Sequence, residues 1–390
     1  MKLKGVSPSI ILLGIVSFLN DMSSEMIMPV LPMLITSLGG AGVAIGIIGG
    51  IRDSISTILT AVFGYISDKT GKRRIFVLSG YLASTIFKFF LAISTTWHQI
   101  LIFGGIERVG KSIRTAPRDA MISEYMPNHR GKGFGIHRTF DTAGAVFGSM
   151  ISFLMVWKFG LSFRTVIFAS AIIAFASMIP MHFVKEKAAA PQKKLTLKIS
   201  LKALPKELKL FLLIASMFTL ANFSYMFLIL KAQKSFEGSM ALAAPILLYV
   251  LFNIFYAAFS APFGTLSDRI GRDRVLLAGY AVFTLAMLGF AVFSSAAALA
   301  VLFIMYGLAY AMIEGIQRAF VSDLSSRNIR ATALGTFHTV MGLITLPASV
   351  IAGVLWQVAP AITFVYGAAF GTAAAVMMLA FRKRIISLAR

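Results

Sequence analysis

The sequence predicts an all-α membrane protein whose twelve transmembrane helices form two pseudo-twofold-related six-helix bundles around a central cavity. Three observations lead to this prediction. The 390 residues are 58% hydrophobic and only 13% charged, which excludes an ordinary soluble domain. Twelve apolar stretches each approach the roughly 20 residues that cross a bilayer as a helix. A polar motif recurs 200 positions along the chain, so the two halves resemble each other.

The apolar stretches divide equally between the two halves. They cover residues 9–36, 44–66, 75–94, 99–121, 133–155, 162–183, 209–233, 242–264, 275–294, 297–322, 332–356 and 360–381. The division predicts an N-terminal bundle at 1–184, a linker at 185–208 and a C-terminal bundle at 209–390. The lysine-rich linker has two open interpretations, an amphipathic helix on the membrane surface or a solvated connection.

Lysine and arginine collect in every second loop, for example at positions 69–74, 185–209 and 382–390. Basic loops face the cytoplasm, so both termini of this multi-pass protein are expected there, in the cell membrane. The same loops account for the net charge of +22, and we do not expect nucleic-acid binding. The lipid bilayer is the expected partner of the apolar surface, and we expect a monomer.

Several kinds of chemistry lack their residues in this sequence. There are no cysteines, and no Gly-x-x-x-x-Gly-Lys-Ser/Thr loop occurs that would hold a nucleotide. No nucleophile–base set or metal-ligand cluster stands out. We therefore expect neither an enzyme, nor a cofactor, nor a metal site, nor direct use of ATP.

The recurring motif follows the second stretch of each half. It spans 64–74 and 264–274 and has the form Gly-x-x-x-Asp-x-x-Gly-Lys/Arg-x-Arg. This motif resembles the signature loop of the major facilitator superfamily. The resemblance implies that spans one, four, seven and ten line the cavity. It also implies that the two loops latch the halves, with Asp68, Arg73, Asp268 and Arg272 as gating residues.

Three further segments, 20–26, 110–120 and 130–141, look like a prokaryotic subgroup of that superfamily whose substrates are ill defined. Gly144 and Gly148 are four residues apart in span five and predict close helix packing. Exporters of the superfamily carry a glycine-rich motif here that ends in Gly-Pro. This chain has Gly148-Ser149 instead, which weakens the inference of export.

Charged residues inside predicted spans are the main functional signal, because they are costly in a bilayer. Glu107, Lys111, Arg114 and Arg118 step by four, three and four residues and share one face of a helix. In span one, Asp21 and Glu25 share a face in the same way. The alternatives are that span four ends early in a solvated loop, or that the acids only pair with bases to hold helices together.

From these patterns we predict the following roles. The proton-coupling residues are Asp21, Glu25, Glu107 and Arg108. The substrate-binding residues are Lys111, Arg114, Asn222, Tyr225, Tyr306, Tyr310 and Glu314. Further gating residues are Arg118, Asp119, Arg138 and Asp141.

The predicted function is proton-driven efflux of a small organic solute by alternating access, so the partners are that solute and protons. Transport of an organic anion or a chelated metal is the second possibility, favoured by the bases of span four. A non-transporting membrane receptor or scaffold is the rival class. In that class, the charges of the cavity would be dispensable.

Overall fold

The computed structural model describes residues 7–127, 130–185, 201, 204–326 and 329–386, and within these ranges it contains helices and turns but no strand. The helices are α1 (Pro8–Ile27), α2 (Leu31–Ser37), α3 (Gly42–Thr70), α4 (Arg73–Ala92), α5 (Trp97–Tyr125), α6 (Arg130–Trp157), α7 (Phe163–Ala176), α8 (Met178–His182), α9 (Lys206–Ala221), α10 (Met226–Gln233), α11 (Met240–Ile270), α12 (Arg272–Val292), α13 (Ala296–Asp323), α14 (Arg330–Val358) and α15 (Pro360–Ile386).

These fifteen helices make the twelve predicted spans, because spans one, six and seven are each built from two consecutive helices. Within the described ranges, eleven spans are long and apolar enough to cross a membrane. The twelfth is α5, which is 29 residues long but carries the charges of span four. The fold prediction is confirmed, and α5 continues as a helix past Arg118 to Tyr125. The loop alternative for span four is therefore wrong.

Of the three interrupted spans, spans one and seven break over several residues. Span one breaks between Ile27 and Leu31 beside Pro29, as expected for a residue that has no backbone N–H and restricts the residue before it. Span seven breaks between Ala221 and Met226, although it has no proline or glycine there. This second break was not predicted.

The chain forms two compact units. Unit 1 comprises residues 1–39 and 55–197, unit 2 comprises residues 40–54 and 198–390, and α3 passes from one to the other. The domain boundaries at 184 and 209 stay a prediction, and linker positions 186–200 and 202–203 lie outside the described residues. The described chain resumes as a helix at Lys206.

Close helix contacts position the polar residues of unit 1. A Cβ added to Gly144 or Gly148 would meet the backbone carbonyl oxygen of Phe18 or Met22, so the close helix packing predicted for these glycines is present, and its partner is α1. A Cβ on Gly80 would lie 2.7 Å from the Gly110 carbonyl oxygen, which brings α4 equally close to α5. Small residues allow this close approach of two helices. The polar side chains near these glycines are thereby brought close to the neighbouring helix.

Candidate functional site

The first part of the candidate site is a buried acid–base pair on α5. Glu107 is 2% exposed and accepts a hydrogen bond from the Ser84 hydroxyl at 3.1 Å. The Arg108 guanidinium, which is also buried, lies 3.5 Å from the second carboxylate oxygen and 3.1 Å from the Met28 sulfur. Met28 belongs to the break in span one. The pair therefore joins α5 to α4 and to the point where span one changes direction.

Arg114 is buried to the same extent, at 2% exposure, but its hydrogen-bond and ring partners carry no charge. It donates to the side-chain oxygen of Asn20 at 2.5 Å, and its guanidinium stacks 4.5 Å from the centre of the Tyr81 ring. Within the described part of the chain, Arg114 forms no ion pair with a carboxylate. Its charge is therefore met by an amide oxygen and an aromatic ring, and its predicted role in substrate binding stays a prediction.

Lys88 is a second buried cation without a carboxylate among the residues described. It is 0% exposed and donates to the hydroxyls of Ser23 at 2.8 Å and Ser24 at 3.1 Å. These adjacent serines lie one turn before the break in span one. Lys88 therefore joins the C-terminal part of α1 to α4.

Asp21, Glu25 and Lys111 are half-buried and lie between these groups. In the ranges that the structure covers, the side chains of Asp21 and Lys111 form no hydrogen bond or ion pair. The charges of Lys111, Arg114 and Arg118 nevertheless act on Asp21. Glu25 acts on Lys111 in turn. The carboxylates of α1 thus lie close enough to the bases of α5 for their charges to interact, and Asp21, Glu25 and Lys111 are each only partly exposed.

A separate network joins α1, α5 and α6 nearer the start of α1. Arg118 pairs with Asp119 at 2.9 Å and donates to the Ser17 hydroxyl at 3.2 Å. Ser17 also lies 2.7 Å from a ring nitrogen of His137, whose other nitrogen is 3.4 Å from Asp141. Arg118 and Asp119, both predicted as gating residues, are thus in contact, and their gating role stays a prediction. The predicted gating residue Arg138 is exposed on α6.

Both signature loops contain an arginine between two acids. In unit 1, Arg73 pairs with Asp68 at 2.9 Å and with Glu124. In unit 2, Arg272 pairs with Asp268 at 3.3 Å and with Asp323 at 2.5 Å. The 200-residue repeat would match Arg73 with position 273, but the paired arginine of the second loop is Arg272, one position earlier.

The next residue of the second loop, Asp273, takes a different partner, Arg382. The two motif glycines also differ. A Cβ on Gly64 would lie 2.9 Å from the Ala116 Cβ, whereas Gly264 has no atom of the described residues within 4 Å. Close packing at Gly264 was expected as well, and that expectation is wrong.

The predicted residues of unit 2 form an aromatic cluster. Tyr310 donates a hydrogen bond to the side-chain oxygen of Asn222 at 3.0 Å. Asn222 is the first residue of the break in span seven, so the bond joins this break to α13. The Phe252 ring lies 5.3 Å from Tyr306 and 5.7 Å from Tyr310, centre to centre.

The other two predicted residues lie beside this cluster. Tyr225, also in the break, contacts the Tyr249 ring at 5.6 Å. Glu314 is exposed; it accepts a hydrogen bond from Tyr256 and pairs with Arg318 at 3.4 Å.

Several partners of the charged residues were not predicted as site residues, among them Asn20, Tyr81 and Ser84. Tyrosine and serine are common in spans, and only their contact with a charged neighbour distinguishes them. Asn20 was the one with a signal, because a buried amide beside Asp21 needs partners. No cluster of three or more potential metal ligands occurs in the described ranges.

Comparison with known proteins gives the same fold. A family profile for the Major Facilitator Superfamily matches residues 13–251 and 211–387. The chain is similar to an MFS-type transporter of Methanocaldococcus jannaschii, with 55% identity over 377 residues that cover 96% of this chain and 95% of the relative. It is also similar to the multidrug resistance protein MdtG of Enterobacter lignolyticus, with 26% identity over 286 residues, 70% of this chain and 67% of that protein.

Among solved structures, the nucleoside transporter NupG (D323A mutant) superposes with a TM-score of 0.81 at 17% identity. The match covers 95% of this chain and 99% of that one. At this identity, the likeness shows the fold alone. The family profile and the 55% identical relative carry the assignment, and the chain is a membrane transporter that belongs to the Major Facilitator Superfamily.

Proposed function

We propose that this transporter exports a small organic solute by alternating access and that protons drive the export. The observation that carries the proposal is the acid–base network of unit 1, where Glu107 is buried beside Arg108 and Asp21 is half-buried beside several bases. Burial disfavours the charged form of a carboxylate, and a neighbouring cation favours it. A carboxylate held between these effects can bind and release a proton when its surroundings change.

The direction of transport rests on a weaker argument. The name of the similar MdtG protein, a multidrug resistance protein, supports export, whereas Gly148-Ser149 departs from the exporter motif. We also propose that the protein lies in the cell membrane with both termini and the basic loops on the cytoplasmic side, as the distribution of lysine and arginine indicates. We assign gating to residues of the two signature loops, Asp68, Arg73, Asp268 and Arg272. We assign the same role to Arg118 and Asp119 on α5 and to Arg138 and Asp141 on α6.

The proposal is tested in proteoliposomes that carry a pH gradient, with ethidium as the first probe and a panel of neutral and anionic dyes after it. Asp21→Asn and Glu107→Gln should abolish the dependence of solute flux on the pH gradient while the protein still folds. Glu237→Gln is the matched control, because Glu237 is an exposed acid in a loop. Unchanged pH-dependent flux in both variants would remove proton coupling. Flux that is insensitive to every charge of unit 1 would instead indicate transport that uses none of these acids and bases.

A second function, transport of an organic anion, is favoured by one specific observation. Lys88, Lys111 and Arg114 form no ion pair with a carboxylate among the described residues, although two of them are fully buried. A chelated metal would meet the same bases through its anionic chelator.

A further inference from the structure

Among the described side chains of unit 1, Arg114 is the one with two buried nitrogens that lack a hydrogen-bond partner. Two of its nitrogens, Nε and Nη1, are buried and have no acceptor in the described part of the chain. The Nδ2 amide of Asn20 and the hydroxyl of Tyr81, which both contact Arg114 through other atoms, are buried and unpartnered as well. We call these three side chains the donor cluster.

The orientation of Asn20 follows from its contact with Arg114. A guanidinium only donates hydrogen bonds, so the amide oxygen of Asn20 must face Arg114. Its NH₂ group, at 1% exposure, is then directed elsewhere and needs an acceptor. The cluster thus offers N–H and O–H donors from three helices, α1, α4 and α5. An unpaired buried donor costs free energy, and a buried cation without an anion costs more. An anionic acceptor is the kind of group that would satisfy both these donors and the charge of Arg114.

A second observation connects the cluster to a region that a ligand can reach. Lys111 lies one turn before Arg114 on the same face of α5, is half-buried, and has no ion pair in the ranges described. Its ammonium group can attract an anion toward Arg114. Asp21, next to Asn20, is the acid that such an anion would meet. Lys111, Arg114, Arg118 and Asp141 are the other charged groups that act on Asp21.

We propose that the donor cluster, together with Lys111, binds the carboxylate or other anionic group of the transported solute, which makes the substrate an organic anion. This inference rests on the proposed transport function, but it does not depend on proton coupling or on export. Arg114 and Lys111 supply the positive charge, and Asn20 and Tyr81 supply directed hydrogen bonds. A neutral analogue of the solute would form weaker hydrogen bonds with these donors and would leave the positive charge without a partner.

The experiment measures binding to the purified full chain by thermal unfolding, since a ligand of the folded state raises the midpoint. The probes are benzoate, acetate and inorganic phosphate, compared with neutral benzamide and with chloride at equal ionic strength. We expect benzoate to stabilise the wild type and benzamide not to do so. Tyr81→Phe removes one hydrogen bond to a charged ligand and should weaken benzoate binding about tenfold or more.

Further variants separate this role from a structural one. Tyr280→Phe is the matched control, because it removes a buried hydroxyl of unit 2 that accepts a hydrogen bond from Gln317. It should leave benzoate binding unchanged. Lys111→Gln should weaken binding. Asp21→Asn should strengthen it about threefold, because a like charge near the bound anion is lost. A purely structural cluster would show no such gain.

Three results would overturn the inference. The first is no stabilisation by any of the three probes beyond that of chloride. The second is equal stabilisation by chloride and benzoate, which would identify a resident inorganic anion and not a solute. The third is benzoate binding that Tyr81→Phe and Lys111→Gln leave unchanged. Because no flux is measured, a failure of proton coupling in proteoliposomes leaves this test unaffected.

Discussion

Glu107→Gln and Arg108→Gln, made singly and together, test whether this buried pair is held by its charges. The carboxylate and guanidinium approach to 3.5 Å. Two unit charges at that separation attract by about 5 kcal/mol at an effective dielectric constant of about 20. Removing one partner of a buried pair costs about 3–5 kcal/mol, because the other charge stays buried. The glutamine amide introduced by Glu107→Gln keeps an acceptor for Ser84, so the loss reports the charge and not the hydrogen bond.

The assay is the free energy of unfolding of the purified chain in mixed micelles, analysed as a double-mutant cycle. We expect each single variant to lose about 3 kcal/mol and the double variant to lose about 2 kcal/mol less than the sum. The matched control is the cycle at Arg118 and Asp119, also neighbours on α5, where the Asp119 side chain is 43% exposed. Solvent screening should reduce that coupling below about 1 kcal/mol.

Additive losses at Glu107 and Arg108, within about 0.5 kcal/mol, would refute the reasoning. The two charges would then be stabilised by other groups. A strong coupling would instead assign Glu107 a structural role and leave Asp21 as the main candidate for proton coupling. The cycle therefore also divides the predicted proton-coupling residues between the two roles.

Three other predictions follow from contacts of the same kind. Gly148→Ala should lower the free energy of unfolding by about 1–3 kcal/mol, because its Cβ meets a backbone carbonyl. Gly135→Ala on the same helix has open space and should raise that free energy by about 0.5–1 kcal/mol. Asp68→Asn should destabilise the chain more than Asp268→Asn in thermal unfolding, because the Asp68 side chain is 36% exposed and that of Asp268 is 66% exposed. Tyr310→Phe removes a hydrogen bond at the break in span seven and should cost about 1 kcal/mol in the same unfolding assay.

The sequence predicted those features that depend on one helix at a time. Apolar length predicted the spans, and four-residue glycine spacing predicted that α6 packs closely against another helix. The stripe from Glu107 to Arg118 also required only helical geometry. These features are local, so the order of the residues is enough to predict them.

Features that depend on how one helix is rotated against another were missed. Tyr81 resembles any other tyrosine in a span until Gly80 and Gly110 bring α4 against α5. The break at residues 222–225 has no local signal, and Gly264 repeats Gly64 in the motif without repeating its contact. A repeat in sequence therefore predicts equivalent positions, but each contact depends on the side chains of the neighbouring helix.

The energetics of burial explain why the donor cluster is the strongest functional candidate. An apolar side chain of similar volume at position 114 could fill the same space without a desolvated charge, and such replacements in buried ion pairs are often neutral or stabilising. Folding alone therefore does not require Arg114, Asn20 and Tyr81 to present four unpartnered donor atoms to one another. The aromatic cluster of unit 2 differs, because it holds no buried cation, although its Tyr306 hydroxyl is also buried without a partner in the described residues. The cost at Arg114 can be recovered only when an anion binds, and a transporter whose cargo completes its own binding site would gain specificity from that cost.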